Sequence, residues 1–218
     1  MYVVVPLAGP DCYDAKYGIR PMMPMGESTL IHSVLSSRWN DVSYVFVLRE
    51  HENMPRLRQY LRDTFVGCQI VVVSQLAAGA AFSALAGMSL VPDNVPVVVD
   101  LADIAFEGNC DFKAAFAADE QLQGIVPYFE SSEPQYSYLQ LDEEGYLLQA
   151  VEKKVISNHA TAGVYAFRNV GAYLQALARC VRDGDTYKGL YFVCPLLNDM
   201  CVTGVPVTVT EQHSLAFH

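Results

Sequence analysis

The sequence predicts an α/β fold in which helices cover both faces of a mixed, mainly parallel β-sheet. Over the first half of the chain, short β-branched runs alternate with helical patterns, the order typical of βαβ units. These runs are apolar almost throughout, as in strands that are buried on both faces of a sheet. With 218 residues, of which 52% are hydrophobic, the chain can bury a full core, so we expect one domain over residues 1–218.

The elements of the first half follow from hydrophobic periodicity and from capping residues. Ser28 and Thr29 can cap a helix that ends near Ser37, because their hydroxyls accept hydrogen bonds from the free N–H groups at a helix start. The helix predicted at residues 80–88 consists of small side chains and could pack close to a sheet. The remaining predictions are strands at residues 2–6, 42–48, 69–73 and 96–99, and a helix at residues 54–65.

The second half of the chain is richer in strand-like segments. Residues 142–145, Asp-Glu-Glu-Gly, predict a hairpin turn between two of them. The predicted strands are residues 124–129, 136–141, 146–153, 159–167 and 205–210, and the predicted helices are residues 170–182 and 193–201.

The composition excludes several classes of protein. The net charge of −10 disfavours binding to nucleic acid or to an anionic membrane surface. No apolar run approaches the about 18 residues that span a bilayer, and the first residues lack the basic segment of a signal peptide. The six cysteines are scattered without a C-x-x-C pair, which indicates reduced thiols and a cytoplasmic protein. The aromatic residues permit a homodimer without requiring one.

A loop rich in Gly, Pro and Asp follows the first strand and extends to Gly26. Ligands of such sheets bind beyond the carboxyl ends of the strands, which places residues 8–26 and Asp103 on one rim. A glycine-bearing loop at this position commonly cradles phosphates with its backbone N–H groups. Because Gly9 is its one early glycine, neither a P-loop nor a dinucleotide-binding fingerprint is present, and a simple turn glycine is the alternative.

Seven short motifs occur in a characteristic order along nearly the whole chain. They are residues 4–9 (VVPLAG), 20–26 (RPMMPMG) with 30–31 (LI), 75–81 (QLAAGAA), 97–103 (VVVDLAD), 136–138 (YSY), 152–165 (with EK and ISNHATAGVY) and 191–198 (YFVCPLLN). Their order resembles the sugar-1-phosphate nucleotidyltransferases, or NDP-sugar pyrophosphorylases, and the last motif is similar to that of capsule-type members. The resemblance implies a glycosyltransferase-A-like, three-layer fold with a mixed, mainly parallel central sheet.

The resemblance also implies a reaction and its cofactor. A sugar 1-phosphate, or a similar phosphorylated alcohol, attacks the α-phosphate of a nucleoside triphosphate and pyrophosphate leaves, so the site supplies positioning and charge neutralisation. Asp103 would hold a Mg²⁺ ion on the nucleotide phosphates, with Asp100 as the competing carboxylate and a turn cap as the alternative role. Arg20 replaces the lysine of the family's Lys-Pro pair and would approach the phosphates, unless it is a solvated loop residue.

The same resemblance assigns binding residues to the two substrates. Glu152 and Lys153 match a Glu-Lys pair that binds the sugar and its phosphate. In a regular strand the two side chains would point to opposite faces, so a joint role needs a local bend, and an edge-strand charge pair is the alternative. Gly163 would let the backbone approach the sugar, or it marks a β-bulge. The implied nucleotide-binding residues are Ala8, Gly9, Gln75 and Gly79, with helix packing as the alternative role for Gly79.

Some positions depart from the family pattern. Active members carry Gly-x-Gly-[Ser/Thr]-Arg after the first strand, whereas here Asp11 replaces the second glycine and Tyr13 stands near the place of the arginine. Lys16 could compensate for that lost charge. A second metal-binding aspartate of several members falls at Pro195, and residues 215–218 end the chain where many relatives continue.

Two functions are therefore carried forward. The first is a Mg²⁺-dependent nucleotidyltransferase that makes an NDP-sugar for surface polysaccharide. The second is a degenerate family member that binds a nucleotide or sugar phosphate as a regulatory subunit. A glycosyltransferase of the same fold class is a third alternative, disfavoured because residues 100–103 do not form an Asp-x-Asp metal motif.

Overall fold

The computed structural model describes residues 1–16, 18–108 and 110–209, and its centre is a ten-stranded β-sheet. The strands are β1 (Tyr2–Leu7), β2 (Tyr13–Asp14), β3 (Gly18–Ile19), β4 (Pro24–Met25), β5 (Ser28–Thr29), β6 (Ser43–Arg49), β7 (Gln69–Val73), β8 (Val97–Asp100), β9 (Phe106–Glu107), β10 (Gly124–Glu130), β11 (Tyr138–Leu141), β12 (Leu147–Val151), β13 (His159–Thr161), β14 (Val164–Phe167), β15 (Val202–Pro206) and β16 (Thr208–Val209). The helices are α1 (Leu30–Ser36), α2 (Met54–Thr64), α3 (Ala80–Met88), α4 (Phe112–Ala118) and α5 (Val170–Asp183). No helix in these segments is long and apolar enough to cross a membrane.

The sheet is mixed, as the sequence predicts. Its strand order is β12-β11-β13-β10-β14-β8-β1-β6-β7, and β15 pairs with β10 beside this path. The strands β7, β6, β1 and β8 are parallel neighbours, whereas β14, β10, β13, β11 and β12 follow with antiparallel pairings. The parallel half therefore ends at β8, where the pairing direction reverses.

Helices cover both faces of the sheet and form a three-layer structure. Along β1, Val3 and Val5 face one core and Val4 faces the other, and all three are fully buried. Side chains of α1, α2 and α4 fill the first core, and side chains of α3 and α5 fill the second. The small residues of α3 bring it close to the sheet, since a Cβ atom at Gly87 would lie 2.6 Å from Val4 Cγ1.

The helix predicted at residues 193–201 and the strand predicted at residues 159–167 are wrong in extent. The helix predicted at residues 193–201 is a 3₁₀ segment at Cys194–Leu197, because Asn198 leaves the helical region with ψ of 146°. The Asn198 side chain accepts from Ala150 N (2.8 Å) and donates to Ala150 O (3.0 Å), so it acts as a partner for β12. The strand predicted at residues 159–167 is divided into β13 and β14, since Gly163 adopts a φ of +72° that a regular strand excludes.

Some elements of the structure are not predicted from the sequence. Helix α4 was not predicted, although Asp111 marks its start by accepting a hydrogen bond from Ala114 N at 3.0 Å. The short strand β9 was also not predicted, and it pairs with β16. The final strand predicted at residues 205–210 is divided between β15 and β16, and its last residue, Thr210, lies outside the described residues, as do residues 215–218.

A fully buried carboxylate, that of Asp100, lies at the carboxyl end of β8. Arg38 Nη1 donates to both of its oxygens at 2.9 Å, and Trp39 Nε1 donates to Oδ2 at 2.8 Å. The backbone N–H of Ala102 donates to Oδ1 at 2.8 Å, and Ala102 adopts a φ of +55°. These bonds connect the segment after α1 to the end of β8 and turn the chain sharply before Asp103.

We expect substitution of Asp100 by Asn to lower the free energy of unfolding by about 3 kcal/mol, because Arg38 would remain buried without its counter-ion. The exposed pair of Arg182 and Asp183 provides the matched control, and Asp183→Asn should leave the denaturation midpoint nearly unchanged. Urea denaturation followed by circular dichroism measures both. Equal midpoints for the two variants would contradict the structural role of Asp100.

Candidate functional site

A cavity of about 590 Å³ opens at the carboxyl ends of β1 and β8. Its lining comes from the loop after β1, the segment after β8, the start of α3, the residues that follow β12 and residues around Gly163. Of the residues to which the resemblance assigns a catalytic or binding role, Gln75 lies outside the cavity lining, whereas the lining includes Ala8, Gly9, Arg20, Gly79, Asp103, Glu152, Lys153 and Gly163. Gln75 is exposed and lies outside this lining.

Asp103 is the aspartate of its segment that faces the cavity. Both oxygens of Asp100 are already engaged in the core, whereas the side chain of Asp103 is solvent-accessible. The surrounding protein raises the pKa of Asp103, and nearby Arg20 opposes this effect. Asp103 Oδ1 lies 2.8 Å from the position that a Cβ atom would take at Gly163. A glycine at 163 is therefore required both by its positive φ and by the close approach of this carboxylate.

The donor set around Asp103 limits how a metal could bind. In the part of the chain that the structure describes, no three His, Cys, Asp or Glu side chains converge on a point that could hold an ion. Mg²⁺ commonly takes one or two carboxylates and completes its octahedron with phosphate oxygens and water. Asp103 fits an ion of that kind, held jointly with a phosphate ligand.

The loop after β1 contains an ion pair between two residues that depart from the family pattern. Arg20 Nη1 lies 2.8 Å from Asp11 Oδ2. Asp11 Oδ1 lies 2.6 Å from the position of a Cβ atom at Gly9, so the carboxylate folds back over that glycine. Gly9 itself has φ of −65° and therefore needs no left-handed conformation. The glycine is explained by the space that Asp11 occupies.

The other departures lie away from the cavity. Tyr13 is buried and stacks on His51 with ring centroids 4.2 Å apart, outside the lining. Lys16 is exposed and also lies outside the lining, so it adds no charge to the cavity wall. Pro195 is buried within the 3₁₀ segment that follows Val193. None of these three residues lines the cavity.

Gly79 brings two distant segments together at the start of α3. It adopts φ of +113°, and a Cβ atom there would lie 2.1 Å from Tyr191 O. Ala81 N donates to Tyr191 O (3.1 Å), and Tyr191 N donates to Ala78 O (2.8 Å). Close packing against the Tyr191 backbone therefore accounts for the glycine at position 79. Gly79 also forms part of the cavity wall.

Glu152 and Lys153 both reach the cavity because the chain bends after β12. The strand ends at Val151, and Lys153 adopts φ of +50°, which breaks the alternation of a strand. Glu152 is buried and accepts a 2.5 Å hydrogen bond from Ser137 Oγ. The Lys153 ammonium lies 5.4 Å from the ring centroid of Phe192 and 5.7 Å from that of Tyr187.

Polar residues that were not assigned a role also line this half of the cavity. Ser137 lies in the YSY motif and holds the carboxylate of Glu152. Thr161 Oγ1 and Tyr165 OH share a buried hydrogen bond of 2.9 Å. Both belong to the 152–165 motif, so the sequence contained a signal for them, although their pairing depends on the break at Gly163.

The charges on the cavity wall nearly cancel. Within the described residues, the lining contains the acids Asp11, Asp103 and Glu152 and the bases Arg20 and Lys153. Arg20 is paired with Asp11, and Lys153 lies beside the aromatic ring of Phe192. A polyanionic ligand would thus meet two cations, one of which is already paired with a carboxylate.

Solved structures of two pyrophosphorylases and a CTP transferase have the same fold. A nucleoside-diphosphate-sugar pyrophosphorylase from Vibrio cholerae RC9 matches with a TM-score of 0.75 and 18% identity, over 94% of this chain and 91% of that one. The inositol-1-phosphate CTP transferase from T. maritima matches with a TM-score of 0.73 and 16% identity, over 99% and 90%. A UDP-glucose pyrophosphorylase complexed with UDP-glucose matches with a TM-score of 0.68 and 17% identity, over 98% and 93%.

These likenesses confirm the fold that the sequence predicts. No protein-family model matches the chain, and no curated protein matches its sequence. The structural neighbours are pyrophosphorylases and nucleotidyltransferases, and this chain spans at least 90% of each of the three.

We expect Glu152→Gln to raise the thermal unfolding midpoint at neutral pH. Burial raises the pKa of Glu152 above its ordinary value of 4.5, so the folded protein binds this proton more tightly than the unfolded chain does. Ionised Glu152 therefore costs stability as pH rises from 4.5 through the folded pKa, whereas Gln keeps the acceptor for Ser137 without the charge.

The midpoint difference between Glu152→Gln and the wild type should shrink as pH falls below 4.5. Scanning calorimetry across pH 4–8 measures it, and exposed Glu133→Gln is the control. A variant that is less stable than the wild type at every pH would show that the charged form is favoured instead.

Proposed function

We propose that this protein is a nucleotidyltransferase that joins a nucleoside triphosphate to a sugar 1-phosphate, or to a similar phosphorylated alcohol, and releases pyrophosphate. The observation that carries the proposal is the convergence of Asp103 with Glu152 and Lys153 on one cavity. Asp103 is about fifty positions away from Glu152 and Lys153 in the chain. The order of the motifs predicts that the three residues share a site. The fold of the neighbouring pyrophosphorylases supports the same reaction class.

The cavity lining suits two phosphorylated substrates whose phosphates meet near Asp103. The glycine-bearing loop at Ala8–Gly9 and the start of α3 would bind the triphosphate. Glu152 would accept hydrogen bonds from hydroxyl groups of the second substrate, and Lys153 would bind its phosphate. The transfer needs no covalent enzyme intermediate, so the protein's contribution is to hold the two phosphates close and to offset their charge.

A divalent cation, Mg²⁺ in this proposal, would be held by Asp103 together with phosphate oxygens. Such an ion neutralises negative charge on the phosphates, which the wall does not do because it contains three acids and two bases in the described segments. Arg20 would orient the triphosphate from the loop. The product would supply surface-polysaccharide synthesis, and the six free thiols and the triphosphate substrate support a cytoplasmic location.

The second candidate is a protein that binds the nucleotide or the sugar phosphate without turnover. The ion pair of Asp11 and Arg20 favours it, because a carboxylate occupies the loop where a triphosphate would lie. Calorimetric titration with ATP, CTP, GTP, UTP and dTTP, with and without Mg²⁺, detects such binding. Affinity for one nucleotide without pyrophosphate release, for any sugar phosphate offered, would favour the binding role.

We expect Asp103→Asn to reduce pyrophosphate release at least about 100-fold, since it removes a charged ligand at the reacting phosphates. Lys153→Gln should chiefly lower the affinity for the second substrate, the phosphorylated sugar or alcohol. The assay couples pyrophosphate release to phosphate detection, with each of the five nucleotides and a panel of sugar 1-phosphates, inositol 1-phosphate included.

Matched controls lie nearby in the chain. Lys154 is exposed and outside the cavity lining, so Lys154→Gln should leave the rate unchanged, as should Asp93→Asn in an exposed turn. Pyrophosphate release that survives in both Asp103→Asn and Lys153→Gln would overturn the proposed assignment of the site.

A further inference from the structure

The carboxylate of Asp11 occupies the space over the glycine-bearing loop. One of its oxygens lies 2.8 Å from Arg20 Nη1, and the other lies 2.6 Å from the position of a Cβ atom at Gly9. All three residues line the cavity beside Asp103. An anion that approached the loop would therefore find the Arg20 guanidinium already paired with the Asp11 carboxylate.

The pair of Asp11 and Arg20 is open to solvent. The side chain of Asp11 is 67% exposed and that of Arg20 is 32% exposed. Ion pairs at such exposure contribute little stability, because water and salt screen them and each side chain loses freedom. A ligand with several phosphate charges can therefore separate the pair without loss of folded structure.

Arg20 is the cation that the loop after β1 contributes to the cavity lining. Among the described lining residues, the other base is Lys153, which follows β12 and lies against Phe192 and Tyr187. Asp103 is an acid and repels phosphate unless a cation is bound. The charge that the loop can offer to a polyphosphate thus depends on whether Arg20 is engaged by Asp11.

We propose that Asp11 is a built-in competitor for Arg20, so that a polyphosphate gains the guanidinium only by displacing the Asp11 carboxylate. The inference rests on the proposed binding of a triphosphate in this cavity. It makes Asp11 an autoinhibitory residue that lowers the resting affinity of the loop. Arg20 is then shared between an internal anion and an external one.

The test measures binding of inorganic tripolyphosphate, which reports on the loop without a base or a sugar. By isothermal titration calorimetry with Mg²⁺, Asp11→Asn should bind tripolyphosphate about fivefold more tightly than the wild type. Asp11→Ala should behave in the same way. Both variants remove the negative charge of an exposed side chain, and their thermal midpoints verify folding.

Asp14→Asn is the matched control. Asp14 lies in the same loop, is exposed and stands outside the cavity lining, so this variant removes one negative charge that is not part of the cavity wall. Its affinity should equal that of the wild type. An equal gain for Asp14→Asn and Asp11→Asn would show a general effect of net charge and would overturn the proposal.

A double-mutant cycle tests the competition itself. Arg20→Gln should weaken binding more in the Asp11→Asn background than in the wild-type background, by about threefold, because there the Asp11 carboxylate no longer competes for Arg20. Additive effects would overturn the proposal, and so would an absence of tripolyphosphate binding in both the wild type and Asp11→Asn.

The outcomes separate this inference from the proposed function. Tighter binding by Asp11→Asn without pyrophosphate release from any variant would support the competitor role and contradict the transferase. Pyrophosphate release by the wild type together with unchanged binding in Asp11→Asn would do the reverse.

Discussion

The buried carboxylate of Asp100 is the constraint on which the site depends. An ionised group in this position is tolerated only if donors surround it, since an unpaired buried charge costs several kcal/mol. The donors come from Arg38 and Trp39, which follow α1, and from the backbone of Ala102. The last of these bonds requires the chain to turn immediately after β8. That turn carries Asp103 away from the core and into the cavity, against the bare backbone of Gly163.

The two halves of the cavity are assembled by the same kind of local break. Lys153, Gly163 and Gly79 all adopt positive φ, and each lies where a strand or helix begins or ends. Two of the three are glycines that another group approaches closely, while Lys153 accepts the strained conformation and thereby reaches the cavity together with Glu152. The regular strands and helices fix where the chain departs from regular structure. At these departures, polar side chains and backbone groups come to face the cavity.

The sequence predicts the parallel half of the sheet well because its strands are continuous apolar runs of β-branched residues. The prediction of a helix at residues 193–201 is wrong because hydrophobic periodicity takes no account of Pro195 or of the hydrogen bonds between Asn198 and Ala150. The choice between Asp100 and Asp103 could not be made from their segment, because it depends on Arg38, more than sixty positions away. Likewise, the joint reach of Glu152 and Lys153 depends on one backbone angle that alternation does not reveal. The ion pair of Asp11 with Arg20 was also not foreseen, although each was noted separately as a departure from the family.

The bonding of Asn198 to Ala150 has a consequence for the outer edge of the sheet. Strand β12 is the last strand on its side, and an unpaired edge is a template for association with strands of other molecules. The amide of Asn198 satisfies both backbone groups of Ala150, and Gly204 N donates to Gly145 O just before the strand. Although Leu148 between these points is exposed, the backbone groups that an incoming strand would need at Ala150 are already occupied. At Ala150, a single side chain thus makes the hydrogen bonds that a further strand would otherwise make.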